Sequence, residues 1–190
     1  MYIRFTLLFI LDLIVNLVGY LLINWWVPAL ADPVGNLPRR LRWFQTHDAT
    51  LDGVGVGGGI EPRFIRATAW LRGDTGEPKN AACRFLCRVL WLYRNNAYGF
   101  AYAVLGAPGP FSLAMWEGNP AATNRAPAVA GECFQVWRSS ADGKEYFRYW
   151  LVRPWGFGKC LEVSIGWKIS ANSQRAQLVC RAWPFRSFEQ

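Results

Sequence analysis

The chain has 190 residues but only one histidine, His47, and charged residues make up only 18% of it. A lone histidine gives little basis for a histidine-rich metal centre or a catalytic triad, because both require several polar groups acting together. The five cysteines are odd in number and irregularly spaced, which is not typical of a disulfide framework and fits a reducing compartment. Acidic residues number 13 against 21 lysines and arginines, so the formal net charge is +8.

The cysteines offer one metal-like spacing. Cys83 and Cys87 are one helical turn apart, which could bring two thiolates to one ion. The other three, Cys133, Cys160 and Cys180, occur singly in apolar stretches without a histidine nearby. This pattern favours free cysteines that act as small buried apolar side chains, and it indicates no cofactor.

The most informative feature that is present is a nearly unbroken apolar run over residues 5–27, closed by Pro28. About 20 such residues cross the hydrocarbon core of a bilayer as a helix. The pair Trp25 and Trp26 at one end is typical of an interfacial aromatic belt. The run therefore predicts a transmembrane helix. A cleaved signal peptide, with residues 29–31 as the cleavage site, and a helix buried in protein are the less favoured alternatives.

Polar residues interrupt this run at a regular spacing. Asp12 and Asn16 are four residues apart, and Gly19 follows three later, so all three lie on one face of a helix. Glycine allows close approach and asparagine can form hydrogen bonds across a helix interface. The stripe predicts contact with a partner helix or self-association.

Positive charges beside the run predict its orientation. Arg4 precedes it, whereas Arg39, Arg40 and Arg42 follow it, and the positive-inside rule then places the C-terminal domain in the cytoplasm. The neighbouring Trp43 belongs to a short amphipathic piece that could lie on lipid headgroups. Membrane lipid is therefore an expected partner, and a membrane with the C-terminal domain on its cytoplasmic side is the expected location.

A basic chain with eleven tryptophans also fits nucleic-acid binding, in which arginine neutralises phosphate and aromatic rings stack on bases. No motif of a known nucleic-acid-binding fold accompanies this composition. The apolar run therefore favours lipid over nucleic acid as the partner.

The pattern along the chain predicts an α+β fold: an N-terminal transmembrane helix, then a small domain with an antiparallel β-meander and one or two helices. The expected parts are an anchor over 1–31, a linker and Gly-rich loop over 32–62, and an α+β domain over 63–190. Within that domain, 63–105 is predicted to be mostly helical, with Asn80 as an N-cap, and 111–185 to form the meander.

Alternation is clearest near residue 165. Apolar side chains at one parity are expected to face the core, and polar ones at the other to face water. The predicted core set is Leu161, Val163, Ile165, Trp167 and Ile169. The predicted outward set is Glu162, Ser164 and Lys168.

One loop has ligand-like spacing. Asp48, Thr50, Asp52 and Gly53 match positions 1, 3, 5 and 6 of a calcium-binding EF-hand loop. Gly59 holds the position of the closing glutamate, so the pattern is incomplete. The alternative is that the two carboxylates cap turns through hydrogen bonds to the backbone.

Three segments together resemble an uncharacterised family of small proteins encoded by tailed bacteriophages and prophages. They are residues 36–53, which contain Leu-Pro, Trp-Phe-Gln-Thr and Leu-Asp-Gly; residues 91–100, which contain Arg-Asn and Ala-Tyr-Gly-Phe; and residues 166–168, Gly-Trp-Lys. Two departures are His47, where the family has proline, and a Gly-rich insert in place of an acidic residue after Leu-Asp-Gly. The resemblance implies phage origin and carries over no catalytic residue.

These observations favour a phage-encoded, membrane-anchored accessory protein that lacks catalysis and binds a protein partner or the inner-membrane surface. The first alternative is a structural or ejected virion component, whose apolar segment is packed in protein until infection. The least favoured is a metal-dependent or cysteine-dependent enzyme, because His47 is the only histidine available as a base.

Overall fold

The computed structural model describes residues 1–55, 57–123, 128–170 and 172–188. The chain divides into two compact units. The sheet unit comprises Met1–Phe9 and Leu105–Gln190, and the helical unit comprises Ile10–Val104. This division differs from the expected boundaries after residues 31 and 62.

Residues 32–62, expected to be a linker and a loop, contribute to the core of the helical unit. Leu37 and Leu51 are fully buried and belong to the same apolar cluster as Trp91 and Leu92. The segment forms little regular structure apart from a 3-10 turn, Arg39–Leu41. Its apolar residues therefore show no periodicity, which is why the sequence pattern resembles a linker.

Within the described residues, the sheet unit contains six strands: Ala107–Pro108 (β1), Phe111–Gly118 (β2), Gly131–Ser139 (β3), Glu145–Gly156 (β4), Lys159–Lys168 (β5) and Arg175–Ser187 (β6). They form one antiparallel sheet in the spatial order β1-β6-β5-β4-β3-β2. Consecutive strands from β2 to β6 are neighbours, which confirms the α+β class and the expected meander. The two-residue strand β1 pairs with β6 and was not expected.

The facing of β5 is only partly as expected. Trp167 and Ile169 are buried and Lys168 is exposed, as the alternation predicts. Earlier in the strand the prediction is wrong. Glu162 and Ser164 are each 2% exposed, whereas the apolar residues between and beside them are only half-buried. Those half-buried residues are Leu161, Val163 and Ile165.

The parity changes at Gly166, which has a φ of +108° and is buried. A Cβ there would collide with the carbonyl oxygen of Phe147 on β4. Glycine therefore allows a close backbone approach and a change of phase in the strand.

On the buried face, Glu162 is ion-paired with Arg181, at 2.7 Å, and with Arg186. These pairs compensate the desolvation of the carboxylate.

The first helix of the chain is α1, Tyr2–Val18, which continues into a π-helical turn, Gly19–Ile23. The other helices are α2, Pro62–Ala67; α3, Ala81–Arg94; and α4, Tyr98–Ala103. Asn80 caps α3 as expected, because its side-chain oxygen accepts a hydrogen bond of 2.9 Å from the Cys83 N–H.

The segment Tyr2–Ile23 has 22 residues and a mean hydropathy of 2.3 over its most apolar window. By length and composition it is able to cross a bilayer. Among the described helices it is the one that meets this condition.

The core of the helical unit lies where α3 meets the loop around residue 52. The rings of Phe64 and Trp91 are 4.8 Å apart and meet edge to face. Gly53 has a φ of +80°, and a Cβ there would lie 3.0 Å from Phe64 and 3.2 Å from Trp91. The Leu-Asp-Gly segment therefore needs glycine at this position for both conformation and space.

Candidate functional site

The outward surface of α1 and its extension is apolar. Ile3 is 81% exposed, and Thr6 is the one polar residue among the exposed positions between Ile3 and Leu22. Exposing apolar area to water costs about 25 cal/mol per Å², and monomeric proteins in water rarely expose large continuous patches. The exposed apolar residues of this stretch are Ile3, Leu7, Ile10, Leu11, Leu13, Ile14, Leu17, Val18, Tyr20, Leu21 and Leu22.

The first turns of α1 are packed within the sheet unit. Phe5 is buried and meets the rings of Phe147 and Trp167 edge to face, at 4.9 and 5.6 Å. Arg4 donates a hydrogen bond of 3.1 Å to the Tyr146 hydroxyl and lies over the same ring. The N-terminal end of the apolar segment is thus held by the folded chain.

Two polar residues of the apolar segment, Asn16 and Asn24, form hydrogen bonds within the helical unit. Asn96 donates hydrogen bonds to the backbone oxygen of Asn16, at 2.7 Å, and to its side-chain oxygen, at 3.0 Å. Asn24 donates to the Asn96 side-chain oxygen at 3.0 Å. A Cβ on Gly19 would collide with the same Asn96 oxygen, so glycine is required at that contact.

These contacts change the interpretation of the stripe. Asn16 and Gly19, expected to meet a partner helix, instead meet Asn96 of the same chain. Asn16 also donates a hydrogen bond of 2.8 Å to the backbone oxygen of Asp12. One carboxylate oxygen of Asp12 is buried without a hydrogen-bond partner among the described residues. Sequence periodicity correctly groups these residues but cannot identify Asn96, which is 80 positions from Asn16.

Aromatic residues at the C-terminal end of the segment contact folded chain but remain partly exposed. Tyr20 and Tyr93 each donate a hydroxyl hydrogen bond to the backbone oxygen of the other, at 3.2 and 2.9 Å. Trp25 packs edge to face on Tyr93, with ring centroids 5.4 Å apart, yet remains 60% exposed. Trp26 and Trp43 are each 50% exposed. An apolar body with a polar N–H suits these side chains to a membrane interface.

The expected basic residues are also on the surface. Arg39 and Arg40 lie exposed on the 3-10 turn, and Arg42 follows directly. Arg42 is exposed, with its Nε 3.4 Å from the backbone oxygen of Leu37. All three guanidinium groups can therefore approach an anionic surface.

A pocket of about 470 Å³ lies in the helical unit, lined in part by residues 45–50. The ring of His47, one of its lining residues, stacks on that of Tyr102 with centroids 3.6 Å apart and 5° between the planes. Asp48 and Thr50 also line it. The sequence gives little signal for this pocket beyond the lone histidine, because its walls come from separate segments.

Two segments that carry the family resemblance meet beside this pocket. The N–H of Phe100 donates a hydrogen bond of 2.8 Å to the backbone oxygen of Trp43. A Cβ on Gly99 would collide with the backbone oxygens of Arg42 and Gln45. Gln45 in turn accepts from the Leu37 N–H at 2.8 Å and donates to the Ala49 oxygen at 3.0 Å. These motif residues hold the loop in place.

The calcium-like spacing does not assemble a ligand set. Both carboxylate oxygens of Asp52 accept hydrogen bonds of 2.8 Å from Arg88, while Asp48 and Thr50 line the pocket. Hydrogen bonds to Asp52 raise the pKa of Arg88. In the part of the chain that the structure describes, no group of three His, Cys, Asp or Glu side chains could hold a metal ion. Asp52 therefore has a structural role in this fold.

The cysteines are free thiols of differing exposure. Burial raises the pKa of Cys87, Cys133 and Cys160, which keeps these thiols protonated at neutral pH. Cys83 is half-buried and Cys180 is exposed, so the expected burial is confirmed for three of the five. Within the described chain, none of them lines the pocket that contains His47.

Comparison with known families adds one finding. A model of a family of unknown function, DUF7338, matches residues 1–190. The chain belongs to this family. The match includes the apolar helix as well as both folded units. No curated protein and no solved structure matches the chain.

Proposed function

We propose that this protein is a membrane-bound accessory protein that lacks catalysis and acts by binding a protein partner or the inner-membrane surface. The observation that carries the proposal is the polarity of α1. Asn16 bonds inward to Asn96 of the same chain, and the exposed residues of the helix are apolar apart from Thr6. Lipid is the solvent in which such a surface is stable.

The biological setting is part of the same proposal. Phage origin rests on the resemblance of residues 36–53, 91–100 and 166–168 to proteins of tailed phages. The cytoplasmic face of a bacterial inner membrane is the location supported by the exposed Arg39, Arg40 and Arg42, because anionic headgroups attract arginine there. The commitment of Asp52 to Arg88 supports a structural role for the one ligand-like loop.

Flotation with phospholipid vesicles tests membrane binding. The full-length chain should float with vesicles that contain anionic lipid. The double variant Leu17→Lys/Leu21→Lys should bind about 100-fold more weakly, since each leucine contributes about 1.5 kcal/mol or more when buried. Both leucines are exposed, so the substitutions disturb no packing within the protein.

A matched control comes from α3. Leu86 and Leu90 are also exposed leucines one helical turn apart. The variant Leu86→Lys/Leu90→Lys should float like the original chain. Equal loss of binding in both double variants would contradict a specific role for α1. Recovery of the chain in purified phage particles, and not in the host membrane, would favour the virion alternative.

A further inference from the structure

We propose that the segment Tyr2–Ile23 lies in the plane of the membrane surface and does not cross the bilayer. This inference rests on the membrane binding proposed above. Length and hydropathy alone would favour a segment that crosses the bilayer. The contacts that each end of the segment makes with folded chain carry the argument.

A crossing would carry part of the helical unit deep into the bilayer. If the segment crossed, its midpoint near residue 12 would lie at the bilayer centre, and Asn16 would lie about 6 Å from it, at 1.5 Å per residue. Asn96 bonds to Asn16 and would be drawn to the same depth. Arg94, which ends α3 two residues earlier and pairs with Glu61 at 2.6 Å, would be drawn toward the hydrocarbon as well. Charged side chains at that depth cost several kcal/mol.

The backbone beside Asn96 is irregular. Ala97 has a left-handed conformation with a φ of +48°, so α3 and α4 do not form one continuous helix. Irregular backbone is tolerated in the hydrocarbon region only where protein covers it, and Ala97 is fully buried by the folded chain. A crossing segment that kept its hydrogen bonds with Asn96 would therefore take this covering protein into the bilayer, together with the partly exposed Arg94.

The N-terminal end of the segment is bonded within the sheet unit. Arg4 bonds to Tyr146, and Tyr146 donates a hydrogen bond of 2.6 Å to Asp142 in the β3–β4 turn. A crossing would carry Arg4 to the membrane face opposite Trp25. The sheet would then need to follow it, and the chain would need a second crossing after residue 23. The described residues contain no second helix long and apolar enough for this.

An in-plane position keeps every one of these contacts. In-plane helices bury an apolar face about 5–10 Å into the headgroup and acyl boundary, with their polar groups on the other side. Here Asn16 and Arg4 face folded chain, where Asn96 and Tyr146 bond to them. The exposed Trp25 and Trp26 suit the headgroup level. The occupant of this surface is therefore the lipid boundary itself.

Depth measurement separates the two orientations. Leu7, Ile14 and Leu21 are seven residues apart and are 64%, 54% and 64% exposed, so they lie on the same outward face. Each is replaced singly by cysteine in the full-length chain carrying Cys180→Ser, and labelled with a small fluorophore. Quenching is then compared between vesicles with nitroxides at the headgroups and vesicles with nitroxides deep in the acyl chains. The chain without an added cysteine gives the blank for native thiols.

An in-plane segment should give the same ratio of shallow to deep quenching at all three positions. A crossing segment places residue 14 near the bilayer centre and the other two about 10 Å closer to the headgroups. Preferential deep quenching at residue 14 would therefore overturn the inference while leaving the proposed membrane binding intact. Failure of all three labelled chains to float with vesicles would overturn both, and flotation before quenching identifies that case.

A topology measurement gives an independent readout. A Gly-Ser extension with one cysteine is added ahead of Met1, and Thr75→Cys marks the exposed turn before α3. With a membrane-impermeant maleimide, the extension and residue 75 should react from the same side of sealed membranes. Reaction from opposite sides would overturn the in-plane orientation.

Discussion

Helices α1 and α3 differ in the polarity of their exposed faces. In α3, Cys87 and Trp91 face the core, and the exposed residues include Arg84 as well as leucines. In α1, the exposed residues are apolar apart from Thr6, and the polar Asn16 faces inward. A helix that is amphipathic in the usual sense is adapted to water. The apolar exposed face of α1 supports the membrane binding proposed above.

The largest difference should appear between Trp91 of α3 and Trp25, which follows the apolar segment that begins with α1. Trp91 is buried against Phe64, so Trp91→Ala should lower the free energy of unfolding by about 3–5 kcal/mol through lost apolar burial and a cavity. Trp25 is 60% exposed, and Trp25→Ala should cost less than about 0.5 kcal/mol. Urea unfolding followed by far-UV circular dichroism in a mild detergent measures both.

The indole N–H of Trp91 refines this prediction. It is buried without a hydrogen-bond partner among the described residues. Trp91→Phe should therefore cost less than about 1.5 kcal/mol, because it removes the unsatisfied donor and keeps most of the apolar volume. If Trp91→Phe costs as much as Trp91→Ala, the indole N–H has a partner. If Trp25→Ala costs as much as Trp91→Ala, the two tryptophans do not differ in their contribution to stability.

A smaller effect should separate two arginines of α3. The side chain of Arg88 is 8% exposed and both oxygens of Asp52 bond to it, so Arg88→Met leaves a largely buried carboxylate without its cation. We expect a loss of about 3 kcal/mol in the same unfolding measurement. Arg94 and Glu61 form a pair in which each side chain is 37% exposed, and Arg94→Met should cost less than about 1 kcal/mol.

The double variant Asp52→Leu/Arg88→Met tests the physical cause of that loss. Removing both charges avoids the uncompensated carboxylate, so the double variant should recover part of the stability lost in Arg88→Met. An additive loss in the double variant would mean that the two side chains act separately and not as an ion pair.

Local patterns predicted the elements of this fold well. The apolar run, the cap at Asn80 and the meander from β2 to β6 all depend on residues close together in the chain. Helical and strand periodicities record this kind of information. The sequence accordingly predicted which segments are helix and strand, and that α1 has one polar stripe.

Contacts between distant residues were not predicted, for a physical reason. The burial of Glu162 depends on Arg181 and Arg186, which lie 19 and 24 positions away on β6. The partner of Asn16 is 80 positions away, and the pocket beside His47 joins separate segments. Alternation assigned Glu162 to the surface because it treats a carboxylate as a group that needs water, whereas two arginines replace that water here.

The smallest predicted difference is between Asn96, where the polar side of α1 meets the end of α3, and its neighbour Asn95. Asn96→Ala removes hydrogen bonds from Asn96 to Asn16 and leaves the Asn24 amide without its acceptor. We expect the free energy of unfolding to fall by about 2 kcal/mol, the cost typical of unsatisfied buried polar groups. The neighbouring Asn95 is a matched control, because it is only half-buried and its one side-chain hydrogen bond returns to Trp91 in the last turn of α3. Asn95→Ala should therefore cost about 1 kcal/mol or less. Full stability in Asn96→Ala would mean that Asn16 and Asn24 find other partners and that Asn96 does not hold this part of the apolar segment in place.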